Sequence, residues 1–206
     1  PLVPKGDLEL FPKFNYCVNL GGFANLSVKK NKKIIAFDIC ACNIILNYLS
    51  QKLESDYDRD GVFASEGILI DTLFEKLNAL DFYKLKPPKS LGREWVEKNI
   101  LPILDNLNPK DALRSYCEHI ALQIGSHLEK GEVLLTGGGA YNKFLVERIR
   151  QYTSAKVIIP DSKLIEFKEA LIFAFLGVLR LRNEINCLAS VTGARKDHST
   201  GKIIVV

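Results

Sequence analysis

Short apolar runs separated by tight turns occupy the first part of the chain after residue 15. Residues 16–20, 26–28 and 34–37 are rich in β-forming side chains, and Gly21-Gly22 closes the first of these runs. A polar turn of lysine and asparagine separates the second run from the third. Three consecutive runs with short connections predict three strands that form a meander.

Helical spacing replaces this pattern in the middle of the chain. The segments 43–50, 63–80 and 92–100 place apolar side chains three or four positions apart, as one buried helix face requires. Asn108-Pro109 is typical of a helix start, and the helix that it opens is predicted to reach about residue 130.

The last third alternates between buried strands and amphipathic helices. Strands are predicted at 133–135 and 157–159, and each is followed by a helix, at 141–152 and 164–181. This alternation implies parallel strands with right-handed crossovers. With the meander it predicts an α/β fold, in which helices flank a mixed five-stranded sheet in a ribonuclease-H-like layout. Two such halves make the actin-like ATPase fold, with a nucleotide between them, and the chain provides one half.

Composition agrees with a globular protein of 206 residues, because 47% are hydrophobic and 25% are charged. The longest apolar run, 171–179, is too short to cross a bilayer, so no membrane association is expected. Since the sequence starts at Pro1 and contains no methionine, we expect a fragment of a longer polypeptide. The net charge is only +4, and the tightest basic cluster surrounds Asn31 in a predicted hairpin turn, which does not indicate nucleic-acid binding; it consists of Lys29, Lys30, Lys32 and Lys33.

Neither cysteines nor histidines have the spacing of a metal site, and no metal ligand is predicted. The cysteines lack paired C-x-x-C spacing and lie in apolar surroundings, which favours reduced, buried thiols in a cytoplasmic protein. The histidines are isolated from one another and are interpreted as structural or exposed; they are His119, His127 and His198.

Two glycine turns are candidates for nucleotide binding. The turn in 19–25, Asn-Leu-Gly-Gly-Phe-Ala-Asn, lets backbone N–H groups approach an anion, although a plain hairpin turn explains the glycines equally well. Residues 137–139 are three glycines between a buried strand and a helix, where a nucleotide can lie flat. We favour binding there over a simple strand–helix turn. Asn142 is a helix cap, a nucleotide contact, or both.

Two carboxylates are candidates for substrate contact. Asp38 is predicted to end the third strand, where it either holds a substrate hydroxyl or metal-bound water, or is a turn residue. Glu169 lies in a largely apolar helix, where it either contacts substrate or flanks the apolar stripe at the surface.

Six blocks, in order along the chain, resemble the anhydro-N-acetylmuramic acid kinase family, and the resemblance covers essentially the whole chain. They are P-L-V-P at 1–4, N-L-G-G-F-A-N at 19–25, Y-D-R-D-G at 57–61, P-P-K-S-L-G-R-E at 87–94, G-G-G-A-Y-N at 137–142 and S-V-T-G-A at 190–194.

The resemblance implies an ATP-dependent kinase that converts 1,6-anhydro-N-acetylmuramic acid to N-acetylmuramic acid 6-phosphate and hydrolyses the anhydro ring, in peptidoglycan recycling. It implies ATP and Mg²⁺ as cofactors, a cytoplasmic location, and a homodimer of the full-length protein. Residues 1–206 are then the C-terminal nucleotide-binding domain, with 51–108 as a helical insertion. The partner would be the N-terminal half of the same protein, which carries the catalytic Asp upstream of Pro1. The fragment alone is therefore expected to be inactive.

Family motifs also imply roles for individual residues. Asp38 and Glu169 match substrate-binding positions, and no catalytic residue falls within the chain. At 38–43 this sequence reads D-I-C-A-C-N where the family usually has D-T-G-P-G-N; both glycines and the proline are absent, so the family's shape is not expected for that turn. A related amino-sugar kinase and a catalytically silent nucleotide-binding module are the alternatives. The implied nucleotide-binding residues are Asn19, Gly21, Gly22, Asn25, Gly137, Gly138, Gly139 and Asn142.

Overall fold

The computed structural model describes residues 2–30 and 33–204. Its sheet has the strand order β3-β2-β1-β4-β5. β1 pairs antiparallel with β2 and parallel with β4, β2 pairs antiparallel with β3, and β4 pairs parallel with β5. The predicted mixed five-stranded sheet is confirmed. The strands are β1 (Tyr16–Leu20), β2 (Phe23–Lys30), β3 (Lys33–Ala41), β4 (Glu132–Thr136) and β5 (Lys156–Ile158).

Helices cover both faces of the sheet. α2, α8 and α9 pack on one face, where they enclose the main core with alternate strand residues such as Val18 and Leu135. α1 and α10 pack on the other face over Cys17 and Leu134. The helices are α1 (Val3–Leu10), α2 (Asn43–Gln51), α3 (Val62–Glu66), α4 (Asp71–Asn78), α5 (Asp81–Lys84), α6 (Arg93–Asn99), α7 (Leu101–Leu104), α8 (Pro109–Gly125), α9 (Lys143–Gln151), α10 (Ser162–Leu181) and α11 (Ala189–Thr192).

Several element boundaries differ from the sequence predictions. α1 was not predicted, and the helix predicted at 63–80 is broken into α3 and α4. The break lies at Gly67, whose position leaves no room for a Cβ beside the backbone of Lys110. The α8 helix ends at Gly125, before the predicted end near residue 130. Asn31 and Lys32, the centre of the predicted basic turn, and Pro1 lie outside the described residues.

A buried ion pair fastens α1 to the sheet and to α10. The Lys168 ammonium lies 2.7 Å from Asp7 Oδ1, and the Ser27 hydroxyl donates a 2.7 Å hydrogen bond to Asp7 Oδ2. All three side chains are buried. Gly6 faces Ile172 at a distance that leaves no space for a Cβ, so the two helices lie in close contact.

All five cysteines are buried as free thiols. Within the described residues, no helix combines the length and the apolar composition needed to cross a lipid bilayer.

Polar contacts of His119 join α8 to α4 and α5. Its Nδ1 lies 2.7 Å from Asn78 Oδ1 and its Nε2 lies 2.9 Å from the Tyr83 hydroxyl. Because Asn78 Oδ1 can only accept, Nδ1 carries the proton and Nε2 accepts from the tyrosine. Complete burial lowers the pKa of His119 from 6.5 to about 3, so the ring is neutral in the folded protein.

This burial predicts a loss of stability in acid. Below pH 6.5 the unfolded chain binds a proton at His119 that the folded chain does not, so stability falls as the pH falls. The contribution is about 1.4 kcal/mol per pH unit down to about pH 3. Urea unfolding of His119→Gln should give a shallower pH dependence, by about half of that amount between pH 7 and 6 and by nearly all of it between pH 6 and 5. An unchanged slope would show that the pKa of His119 is the same in the folded and the unfolded chain.

Candidate functional site

The two glycine turns lie side by side at one edge of the sheet. β1 and β4 are parallel neighbours in which Asn19 pairs with Thr136, so the turns that follow them meet. A Cβ on Gly137 would lie 2.7 Å from Asn19 Oδ1, and one on Gly139 would lie 2.7 Å from Leu20 Cβ. Gly137 also has a φ of +84°. The two turns touch because these residues have no side chains.

Asn43 fixes the β1–β2 turn to the start of α2. Its backbone N–H donates to Gly21 O at 3.1 Å, and its side-chain amide donates to Leu20 O at 2.9 Å. The N–H groups of Cys42 and Ile44 donate to Gly22 O at 2.8 and 3.2 Å. Asn43 is the first residue of α2, and its side chain reaches the turn and makes no capping hydrogen bond.

The altered 38–43 segment forms regular structure. Residues up to Ala41 belong to β3, and α2 starts at Asn43, so the segment has no separate glycine turn. A register shift opposite Ala24 and Asn25 takes up one extra residue in β3. The cysteines at 40 and 42 are completely buried. Asp38 therefore lies inside β3 rather than at its end, and the interpretation of this aspartate as a turn residue is wrong.

The turn with three glycines at 137–139 is called the glycine loop here. One cavity, called the base cavity, opens on its α9 side. Its volume is about 530 Å³. Asn142 lies in its wall, is buried, and caps α9 by accepting a 2.9 Å hydrogen bond from Leu145 N–H. The capping role is therefore confirmed. The lining residues that argue for a ligand are Tyr57, Arg59, Asp60, Gly138, Gly139 and Tyr141.

The opposite wall of the base cavity comes from residues 57–60, which were not predicted as site residues. Asp58 accepts hydrogen bonds from the N–H groups of Phe63 and Ala64 at 2.8 and 2.9 Å, which holds the turn on α3. Burial raises the pKa of Asp58, and these hydrogen bonds oppose the rise. Gly61, with a φ of +77°, packs so closely on Asn142 that a Cβ would collide with it. The sequence block at 57–61 was the only signal for this wall.

A second cavity of about 810 Å³, called the cleft cavity here, lies on the α1 and α10 side. Gly138 lines both cavities, so they meet at the glycine loop. Gly22 is exposed and lines neither cavity. The other predicted residues in the cleft cavity are Asn19, Gly21, Asn25, Asp38, Gly137 and Glu169.

The two candidate carboxylates differ in their contacts. Asp38 Oδ2 accepts from Leu91 N–H at 2.9 Å and from the Ser90 hydroxyl at 3.1 Å. Glu169 is exposed on α10, in the cleft wall, and makes no salt bridge to any residue in 2–30 or 33–204. Its neighbour Lys168 forms an ion pair with Asp7 of α1, which fixes this turn of α10.

Comparison with known proteins identifies the family. The model of the anhydro-N-acetylmuramic acid kinase family matches residues 1–205. The chain belongs to this family. The resemblance of the six sequence blocks is thereby confirmed, and the glycine loop and the block at 57–61 lie around one cavity of a family member.

Curated members of the family are longer than this chain. The kinase of Mannheimia succiniciproducens is 30% identical over 98% of this chain and 60% of its own length. The kinase of Francisella tularensis subsp. novicida is 33% identical over 98% of this chain and 59% of its own. The chain thus spans about 60% of the length of these relatives.

A solved structure confirms the actin-like ATPase type of fold. The activator of 2-hydroxyisocaproyl-CoA dehydratase from Clostridium difficile, with bound ADPNP, superimposes with a TM-score of 0.53 at 17% identity. The match covers 88% of this chain and 67% of that one.

The contact between the glycine turns predicts that two alanine substitutions in this kinase family member differ in their effect on stability. Gly137→Ala places a side chain at positive φ against Asn19 and Leu20, and should lower the free energy of unfolding by about 1–3 kcal/mol. Gly22→Ala is the matched control, because a Cβ there meets nothing within 4 Å. Urea unfolding of both variants measures the difference. Equal midpoints would contradict the close contact.

Proposed function

We propose that the full-length protein containing this chain is an ATP-dependent kinase. It would convert 1,6-anhydro-N-acetylmuramic acid to N-acetylmuramic acid 6-phosphate, with hydrolysis of the anhydro ring, in peptidoglycan turnover. Membership of the family supports this activity. The observation that carries it is that two cavities meet at Gly138, so a nucleotide in one can reach a sugar in the other. The use of ATP agrees with a cytoplasmic location.

The base cavity fits the nucleoside part of ATP. Its volume of about 530 Å³ lies within the usual range of small-molecule pockets. Gly138 and Gly139 offer a flat backbone surface, while the rings of Tyr57 and Tyr141 are half exposed beside it. Asn142 holds the start of α9 in place behind this surface.

The phosphates would lie where the two glycine turns meet. Gly21 and Gly137 line the cleft cavity there, with the side chains of Asn19 and Asn25. Backbone N–H groups of glycine turns suit anions because no Cβ blocks their approach. Gly22 would act from the same turn, although it lines neither cavity in this chain alone. Mg²⁺ bound with ATP would neutralise charge on the phosphates.

The sugar would occupy the rest of the cleft cavity. Glu169 lies on its wall without a salt bridge to any residue in the described part of the chain, and it suits a sugar hydroxyl because a carboxylate is a strong acceptor. Asp38, on β3, also lines this cavity, and its Oδ2 already accepts hydrogen bonds from Ser90 and Leu91.

This chain would supply one side of the active site, as a C-terminal domain with residues 51–108 inserted as helices. Phosphoryl transfer needs positioning and charge stabilisation around the whole nucleotide. The relatives have additional length that this chain does not cover, and the corresponding part of the full-length protein would provide the other side. The full-length protein would act as a homodimer, and the 206-residue chain alone would have no kinase activity.

The proposal predicts the effect of Glu169→Gln in the full-length protein. Loss of a charged hydrogen bond should lower kcat/KM for the anhydro sugar about 10- to 100-fold, with little change in KM for ATP. Glu147→Gln, an exposed carboxylate on α9 outside both cavities, is the control. Sugar phosphate formed from ATP, Mg²⁺ and anhydro-N-acetylmuramic acid is the measurement. No product from the wild type would refute the proposed activity.

A further inference from the structure

Asp38 binds a segment of the helical region rather than standing free in the cleft. The segment, called the proline segment here, comprises residues 87–91. Asp38 Oδ2 accepts both the Ser90 hydroxyl, at 3.1 Å, and the Leu91 N–H, at 2.9 Å. The backbone N–H of Asp38 donates to Lys89 O at 3.1 Å. Three hydrogen bonds from one residue therefore join β3 to this segment.

Lys89 anchors the same segment from its other side. Its side chain is buried, with Nζ 4.6 Å from the centre of the Phe82 ring and 6.0 Å from that of Tyr83. Nζ also donates to Phe82 O at 3.4 Å. The segment is thus held between the sheet and α5. Ser90 lies between these anchors, is exposed, and lines the cleft cavity.

The direction of the Ser90 hydrogen bond determines what Ser90 can offer to a ligand. A carboxylate oxygen only accepts, so the Ser90 hydroxyl donates its proton to Asp38. Its oxygen keeps lone pairs that can accept a further hydrogen bond. A ligand group that fits is a donor, such as a sugar hydroxyl or an amide N–H.

We propose that Asp38 is a positioning residue, and that Ser90 is the residue of this pair that contacts the substrate, by accepting a hydrogen bond from a hydroxyl or amide donor of the sugar. This inference rests on the proposed function for its substrate, whereas the fixing of the segment by Asp38 stands on the geometry alone. It assigns Ser90 a role in substrate selection. Asp38 and Glu169 then have different roles, because the Asp38 carboxylate is engaged by the proline segment whereas the Glu169 carboxylate makes no salt bridge within the described part of the chain.

Asp38 could act by positioning the proline segment or by contacting the substrate directly, and only the direct contact needs its negative charge. Both side-chain bonds go to the single oxygen Oδ2, and the amide oxygen of an asparagine can accept the same two bonds. Asp38→Asn should therefore preserve a positioning role. A direct contact through Oδ1, or a metal-bound water, would be disrupted because the amide nitrogen is a donor.

Kinetics of the full-length protein test the inference. Ser90→Ala and Asp38→Ala should each raise KM for the anhydro sugar about five- to tenfold, in keeping with one neutral hydrogen bond, while KM for ATP is unchanged. Asp38→Asn should stay within about twofold of the wild type. Asp38→Ala/Ser90→Ala should be no worse than Asp38→Ala, because the two residues act in series. Ser65→Ala, an exposed serine of α3 outside both cavities, is the control.

Hydrogen exchange at the Leu91 amide gives a second readout on the same proteins. Protection should be lost in Asp38→Ala and kept in Asp38→Asn and Ser90→Ala. If Asp38→Asn loses sugar affinity as Asp38→Ala does, or if Ser90→Ala has the wild-type KM, the inference is overturned. If the wild type makes no sugar phosphate, the proposed function fails; unchanged Leu91 protection in Asp38→Ala would separately overturn the positioning role.

Discussion

The contact between the two glycine turns is the constraint on which the site depends. β1 and β4 are parallel neighbours, so their ends come to one edge, and Gly137 and Gly139 let the second turn rest directly on Asn19 and Leu20. Asn43 ties α2 to the same point. With side chains at these glycines the turns would separate, and Gly138 would no longer be the place where both cavities meet.

The helical segment between β3 and α8 contributes to both cavities. Residues 57–60 form one wall of the base cavity, and Gly61 allows their close contact with Asn142. Residues 88–90 form part of the cleft cavity, where Asp38 holds them. These helices are attached to the main core through α8, partly by His119, so the stability of that attachment and the shape of both cavities are linked.

Features that depend on local sequence were predicted, and features that depend on distant contacts were not. The strands and the glycine loop follow from apolar periodicity and from glycine itself. α1 was missed because Gly6 and Asp7 are poor helix formers, and their places are set by Ile172 and Lys168, far along the chain. The place of Asp38 inside β3 depends on a register shift, which apolar spacing does not reveal. The wall at 57–60 is polar and turn-like, so only its resemblance to a family motif marked it.

The aromatic surroundings of Lys89 have a spectroscopic consequence. Trp95, the single tryptophan of the 206-residue chain, lies 5.4 Å from the Phe82 ring and 6.2 Å from the Tyr83 ring, measured between ring centres. Lys89 lies on the same Phe82 ring. The tryptophan fluorescence of this chain therefore originates beside the proline segment, and its emission reports on the packing of the region that carries Ser90.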